Sequence, residues 1–189
     1  LPGEVDYADA SSLLLPRNHM PLLASRRAHM LVGRVRLFAC LFSILTPLWI
    51  VVDLYTLPSP LCWQLAALRL ATSAAFLALT RRLKPDGTLW QAWRGMALLF
   101  AIPSLFYLCS HLLLTQYSLV GVPGIISAGY SFLPFVLLAG LAIFPLTLLE
   151  CAAFALPALL AHLLSGYLQW QPLAAPSFWG AFWLQVLIA

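Results

Sequence analysis

"SPLCWQLAALRLATSAAFLALTRR", from Ser59 to Arg82, decides the fold class. From Leu61 to Thr80 almost every residue is apolar or small. That is roughly the 20 residues an α-helix needs to cross a hydrocarbon core about 30 Å thick. Arg69 sits inside the run. A guanidinium at that depth costs about 3 kcal/mol on insertion scales, and such a charge turns toward the bundle interior and a partner. The run therefore predicts a transmembrane helix with one polar face buried against its neighbours.

The rest of the chain repeats the pattern. Of its 189 residues, 62% are hydrophobic and 8% are charged, against about 25% charged in a soluble domain. A soluble shell cannot be built from this composition. Further apolar runs cover Leu37–Tyr55, Ala92–Leu114, Ile125–Ile143, Leu146–Tyr167 and a stretch beginning at Phe178. Pro47, Pro103, Pro134 and Pro157 lie inside four of them, which a membrane helix tolerates when neighbouring helices satisfy the freed carbonyl. The predicted fold is all-α: an integral membrane bundle of six transmembrane helices. Residues 1–30, polar and Pro-containing, read as a cytoplasmic lead-in, and 31–189 as the membrane domain. The chain starts on Leu and stops within an apolar run, so a further segment is expected beyond Ala189.

All ten Lys and Arg residues lie at or before Arg94, and Glu150 is the one formal charge after it. Arg26, Arg27, Arg34 and Arg36 precede the first span, while Arg81, Arg82, Lys84 and Arg94 bracket the loop after the second. Basic clusters of this kind mark cytoplasmic loops, so both termini are expected in the cytoplasm. The clusters read as solvated membrane flanks, not as a nucleic-acid surface. Trp63, Trp170 and Trp179 suit the outer interface, and Trp90 and Trp93 the inner one. The cysteines Cys40, Cys62, Cys109 and Cys151 have neither zinc-like nor CxxC spacing, and no disulfide or metal site is expected.

At 1.5 Å per residue, Arg69 lies about 12 Å below the outer edge of its span. Asp53, His111, His162, Tyr107 and Tyr130 fall in the same outer half by the same count. Asp53 and Arg69 are on spans joined by the short turn "TLPSP", so they are natural partners. The pair reads either as a helix-locking ion pair or as part of a ligand site, where a guanidinium with nearby histidine and tyrosine would suit an anion or a polar carbonyl. His111 and His162 have three readings: hydrogen bonding across helices, lining a ligand pocket, or serving as axial ligands of a b-type haem. Glu150 reads as a helix-start charge favoured by the macrodipole, facing Arg81, Arg82 or Arg94, or as a coupling group. No nucleophile motif, phosphate loop or metal triad is legible, so this segment alone is not expected to be an enzyme.

The stretches "RVRLFACLFSILTPLWIVVDLYTLP" (34–58), "LAALRLATSAAF" (65–76) and "GYSFLPFVLLAGLAIFPLTLLE" (129–150) resemble the MASE-type membrane-embedded sensor regions of bacterial signalling proteins. Those regions precede diguanylate cyclase (GGDEF) domains. The resemblance covers roughly Leu31 to Leu184 and carries over no catalytic residue, because no GGDEF segment is present. It implies a sensory and dimerisation domain in the bacterial inner membrane that regulates a cytoplasmic output domain. Its expected partners are the bilayer, a small hydrophobic or amphipathic ligand and a second copy of the chain. Arg69, Asp53, His111, His162, Tyr107 and Tyr130 form the expected ligand-binding set, without a cofactor. The alternatives are a haem b domain using His111 and His162, or a transporter or other membrane-complex subunit.

Overall fold

The computed structural model describes residues 21–84, 88–117, 137–138, 140–169 and 176–188, and the described residues are helical apart from short connections. The helices are α1 (Pro21–Leu48), α2 (Ile50–Thr56), α3 (Ser59–Arg82), α4 (Leu89–Thr115), α5 (Leu148–Gln169) and α6 (Pro176–Ile188). α1, α3 and α4 pack on one another, α5 packs on α4, and α6 packs on α5.

Among the described residues, four stretches are long and apolar enough to cross a membrane: 26–56, 59–82, 89–115 and 148–168. A shorter apolar helix covers 178–187. These lengths and this composition suit a multi-pass membrane protein, but the described residues do not make six spans. The expected span over 125–143 lies outside the described residues except near its end, where a turn at 142–144 leads toward α5. Where the sixth span is expected, the described residues form α6, a largely apolar helix of 13 residues over Pro176–Ile188.

α1 also begins well before the expected start at Leu37, taking in part of the segment read as a lead-in. The physical reason is a stripe hidden among the arginines. Ala28, Leu31, Val32, Val35 and Ala39 recur at helical spacing and are all buried, while the charged side chains between them take other faces. Pro47 lies in the last turn of α1, and the helix breaks at Trp49 before resuming as α2, the interruption expected of an internal proline. Pro60 sits in the first turn of α3, where its missing N–H costs nothing. Thr88 caps α4, its side chain accepting from the Gln91 N–H at 3.4 Å.

The core is aromatic at mid-height. Phe38 and Phe144 rings lie 5.6 Å apart, Phe42 and Phe76 5.5 Å, and Phe100 and Phe144 6.1 Å, spacings typical of tilted and edge-on pairs. Phe38, Phe42, Phe100 and Phe144 line a small apolar cavity of ≈ 40 Å³. Outward-facing side chains such as Leu37, Ile44, Leu105 and Leu160 are exposed, giving the bundle an apolar exterior suited to lipid.

At the Arg27 end, Glu150 organises the start of α5. Its Oε2 accepts from the Thr147 N–H at 2.8 Å, and its own N–H donates to Thr147 Oγ1 at 3.4 Å, a reciprocal capping box. The carboxylate also pairs with Arg27 and accepts from Trp93 Nε1 at 3.1 Å. Its cation is thus Arg27 of α1, not the expected Arg81, Arg82 or Arg94. Arg27 and Arg34 further donate to the Pro145 and Ile143 carbonyls. Helix α1 is thereby stitched to the approach of α5.

Candidate functional site in the polar layer

The question raised by Arg69 has a direct answer. Its Nε donates to Asp53 Oδ2 at 2.6 Å, and a second guanidinium nitrogen lies 3.5 Å from Oδ1. Asp53 is fully buried and Arg69 nearly so. The guanidinium carbon sits 5.3 Å from the centre of the Phe106 ring, within cation–π range. One arginine thus joins α2, α3 and α4. The short connection between α2 and α3 makes this possible, because it sets the two helices side by side and the long Arg69 side chain reaches Asp53. Phe106 belongs to an apolar cluster with Leu61, Cys62, Leu65 and Leu114, and both charged side chains are buried.

Tyr107 follows Phe106 directly and turns toward α5. Its phenol lies near the Ser165 hydroxyl. Ser165 donates to the His162 carbonyl at 2.7 Å. One turn along α4, the His111 ring stacks on Tyr107 with centroids 5.6 Å apart. His111 and His162 are close enough to interact electrostatically. His162 completes the layer from α5: its ring stacks on Phe178 of α6 at 4.6 Å, and its Nδ1 lies 3.3 Å from Gln185 Nε2.

Gly166 makes that stack possible. It lies one turn after His162, and a Cβ there would stand 2.4 Å from the Phe178 ring. Any larger residue would push Phe178, and with it α6, away from α5.

The arrangement leaves two polar atoms unmatched. Among the described residues, His162 Nε2 and Gln185 Oε1 are buried without a hydrogen-bond partner; His162 is 7% exposed and Gln185 0%. The Phe178 backbone approaches the imidazole without closing a hydrogen bond to Nε2. An amide N–H facing Nδ1 requires a lone pair there, which places the neutral ring's proton on Nε2. The layer therefore presents the spare donor His162 Nε2–H, with the second N–H of the Gln185 amide, beside the spare acceptor Gln185 Oε1. Flipping the amide moves the acceptor to His162 Nε2 and the spare donors to the amide N–H groups, so donor and acceptor still stand side by side.

Of the residues singled out in the sequence, Asp53 and Arg69 form one group with Phe106, and Tyr107, His111 and His162 form a second. The adjacency of Phe106 and Tyr107 sets both groups at one level. Tyr130 lies outside the described residues. Sequence reasoning missed Phe106, Ser165, Gly166, Phe178 and Gln185. Gln185 had a usable signal, being the lone hydrogen-bonding side chain in "FWGAFWLQVLIA" apart from the indoles. Among the described residues, no three His, Cys, Asp or Glu side chains converge as metal ligands. In comparisons with protein-family models, with curated proteins and with solved structures, the chain matches none.

Proposed function

We propose that the chain is a membrane-embedded sensory and dimerisation domain. It takes up a small amphipathic ligand in the polar layer and passes its occupancy through α6 to an output domain. Following the resemblance in the sequence, that output is a diguanylate cyclase of the bacterial inner membrane, and dimerisation belongs to the same expectation. The observation that carries the ligand reading is the unmatched pair on His162 and Gln185.

A buried polar atom without a partner costs roughly 1–3 kcal/mol. A hydroxyl carries one donor and two lone pairs on a single oxygen. It answers a spare donor and a spare acceptor together. The ligand class is therefore a neutral amphipath with a hydroxyl head and an apolar body. Asp53 and Arg69 are the anchor for the α2–α4 side of the layer, and they satisfy one another without the ligand. Phe178 and Gln185 both belong to α6, so a ligand that spreads or tightens their contacts with His162 changes how α6 sits on α5. A molecule shifts such an equilibrium only by its differential affinity for the two arrangements, and the unmatched pair supplies a difference of about the right size.

The test uses 1-decanol and decyl methyl ether, which share an apolar body and differ in the donor. Thermal unfolding of the purified chain is followed in dodecylmaltoside. Decanol is expected to raise the Tm where the ether does not, and Gln185→Leu is expected to abolish the difference. Equal effects of the two probes on the native protein would overturn the reading.

A further inference from the structure

A second site is written in the arginines that α1 does not spend on its own fold. Arg27 and Arg34 are consumed by Glu150 and by the Pro145 and Ile143 carbonyls. Arg36 is not. It faces an open groove of ≈ 720 Å³ between α1 and the end of α3, together with Leu37, Cys40, Arg81 and Lys84. Among the described residues none of these three cations meets an acid or makes a hydrogen bond.

We propose that this groove binds the headgroup of an anionic phospholipid from the leaflet at the Arg36 end of the bundle. Arg36, Leu37 and Cys40 lie on one face of α1 at helical spacing, while Arg81 and Lys84 close the opposite wall from the last turn of α3 and just beyond it. Gly33 leaves the floor open, with nothing within 4 Å of where its Cβ would be.

Charge complementarity selects the occupant. The C-terminus of α3 brings about half a negative charge, against three full positive charges on the walls. Two of the three are guanidiniums, whose planar forks match phosphate oxygens in pairs. The remainder of the lipid has a track as well. Leu37, Leu41 and Ile44 continue along α1 as exposed apolar side chains, covering about 10 Å at 1.5 Å per residue. A soluble anion would use the cations alone. A phospholipid uses both the cations and the track.

The purified chain in dodecylmaltoside is titrated with dioleoylphosphatidylglycerol, with dioleoylphosphatidylcholine and with inorganic phosphate, and bound lipid is counted by native mass spectrometry. Phosphatidylglycerol is expected to be retained in preference to phosphatidylcholine, whose acyl chains are the same, and inorganic phosphate at matched concentration is expected not to displace it. A basic residue near a membrane surface contributes about five-fold in affinity. Arg36→Gln, Arg81→Gln and Lys84→Gln should each weaken phosphatidylglycerol binding by about that factor. Arg82→Gln removes the same charge from the same turn but outside the groove lining, and should change binding less than two-fold. Equal retention of the two lipids overturns the proposal, and that comparison needs no variant to fold. Equal losses from Arg82→Gln and Arg81→Gln would mean a diffuse field instead of a site. Displacement by phosphate would assign the groove to a soluble anion.

Discussion

Separating Asp53 from Arg69 should be far more damaging than removing both. The pair is joined at 2.6 Å and 3.5 Å, and Asp53 has no exposed surface. Taking the two charges as about 4 Å apart at an effective dielectric of 20 gives an attraction of about 4 kcal/mol. Breaking a buried pair by deleting one member costs about 3–5 kcal/mol, because the survivor stays charged in an apolar setting. Arg69→Met and Asp53→Leu should each lose that much stability. The double variant leaves no orphan and should fall within about 2 kcal/mol of the parent. The cycle then returns a coupling energy of at least about 4 kcal/mol, the two single losses less the loss in the double variant; the Phe106 contact, lost alike in Arg69→Met and in the double variant, cancels. Reversible unfolding in mixed dodecyl sulfate and dodecylmaltoside micelles, followed by tryptophan fluorescence, measures all four proteins. Single variants each losing under 1 kcal/mol, or a double variant as unstable as the two losses summed, would refute the reasoning.

Gly166→Ala should cost about 1–3 kcal/mol by overpacking, since its Cβ would press on Phe178 at 2.4 Å. Gly33→Ala, which meets nothing, should instead gain up to about 1 kcal/mol from helix propensity; the same unfolding assay ranks the two. Thr147→Ala should cost about 1 kcal/mol as a lost cap. Glu150→Ala should cost more, because it also strands Arg27 and the Trp93 indole N–H, and a shift in tryptophan emission should accompany it. The purified protein should show no Soret band; a band lost in both His111→Leu and His162→Leu would favour the haem reading instead.

Much of the membrane architecture was legible because each span is a long apolar run between turn formers. The spans expected at Leu61–Thr80, Ala92–Leu114 and Leu146–Tyr167 lie within α3, α4 and α5 apart from a residue or two at the start of α5. The Asp53–Arg69 pairing was legible too, because a short turn leaves two successive helices little choice of partner. The extension of α1 was not, since its buried stripe alternates with four arginines and the segment reads as polar overall. Nor was the partner of Glu150, as Arg27 lies 123 residues away and no spacing rule reaches that far. The capping box Thr147-x-x-Glu150 was in plain view and went unread. The His162–Gln185 contact needed α6 to fold back on α5, which sequence alone does not dictate.

The central claim is that polar side chains from separate helices share one depth inside a bilayer and face one another. Nitroxide labels at Leu70, Leu105 and Leu160 report that depth from the exposed faces beside Arg69, Phe106 and His162. Accessibility to oxygen and to a water-soluble nickel chelate is measured by electron paramagnetic resonance in liposomes. The account predicts three oxygen-rich positions within about 5 Å of one depth, one helical turn. Depths scattered by about 10 Å or more, or labels open to the nickel chelate, would contradict it.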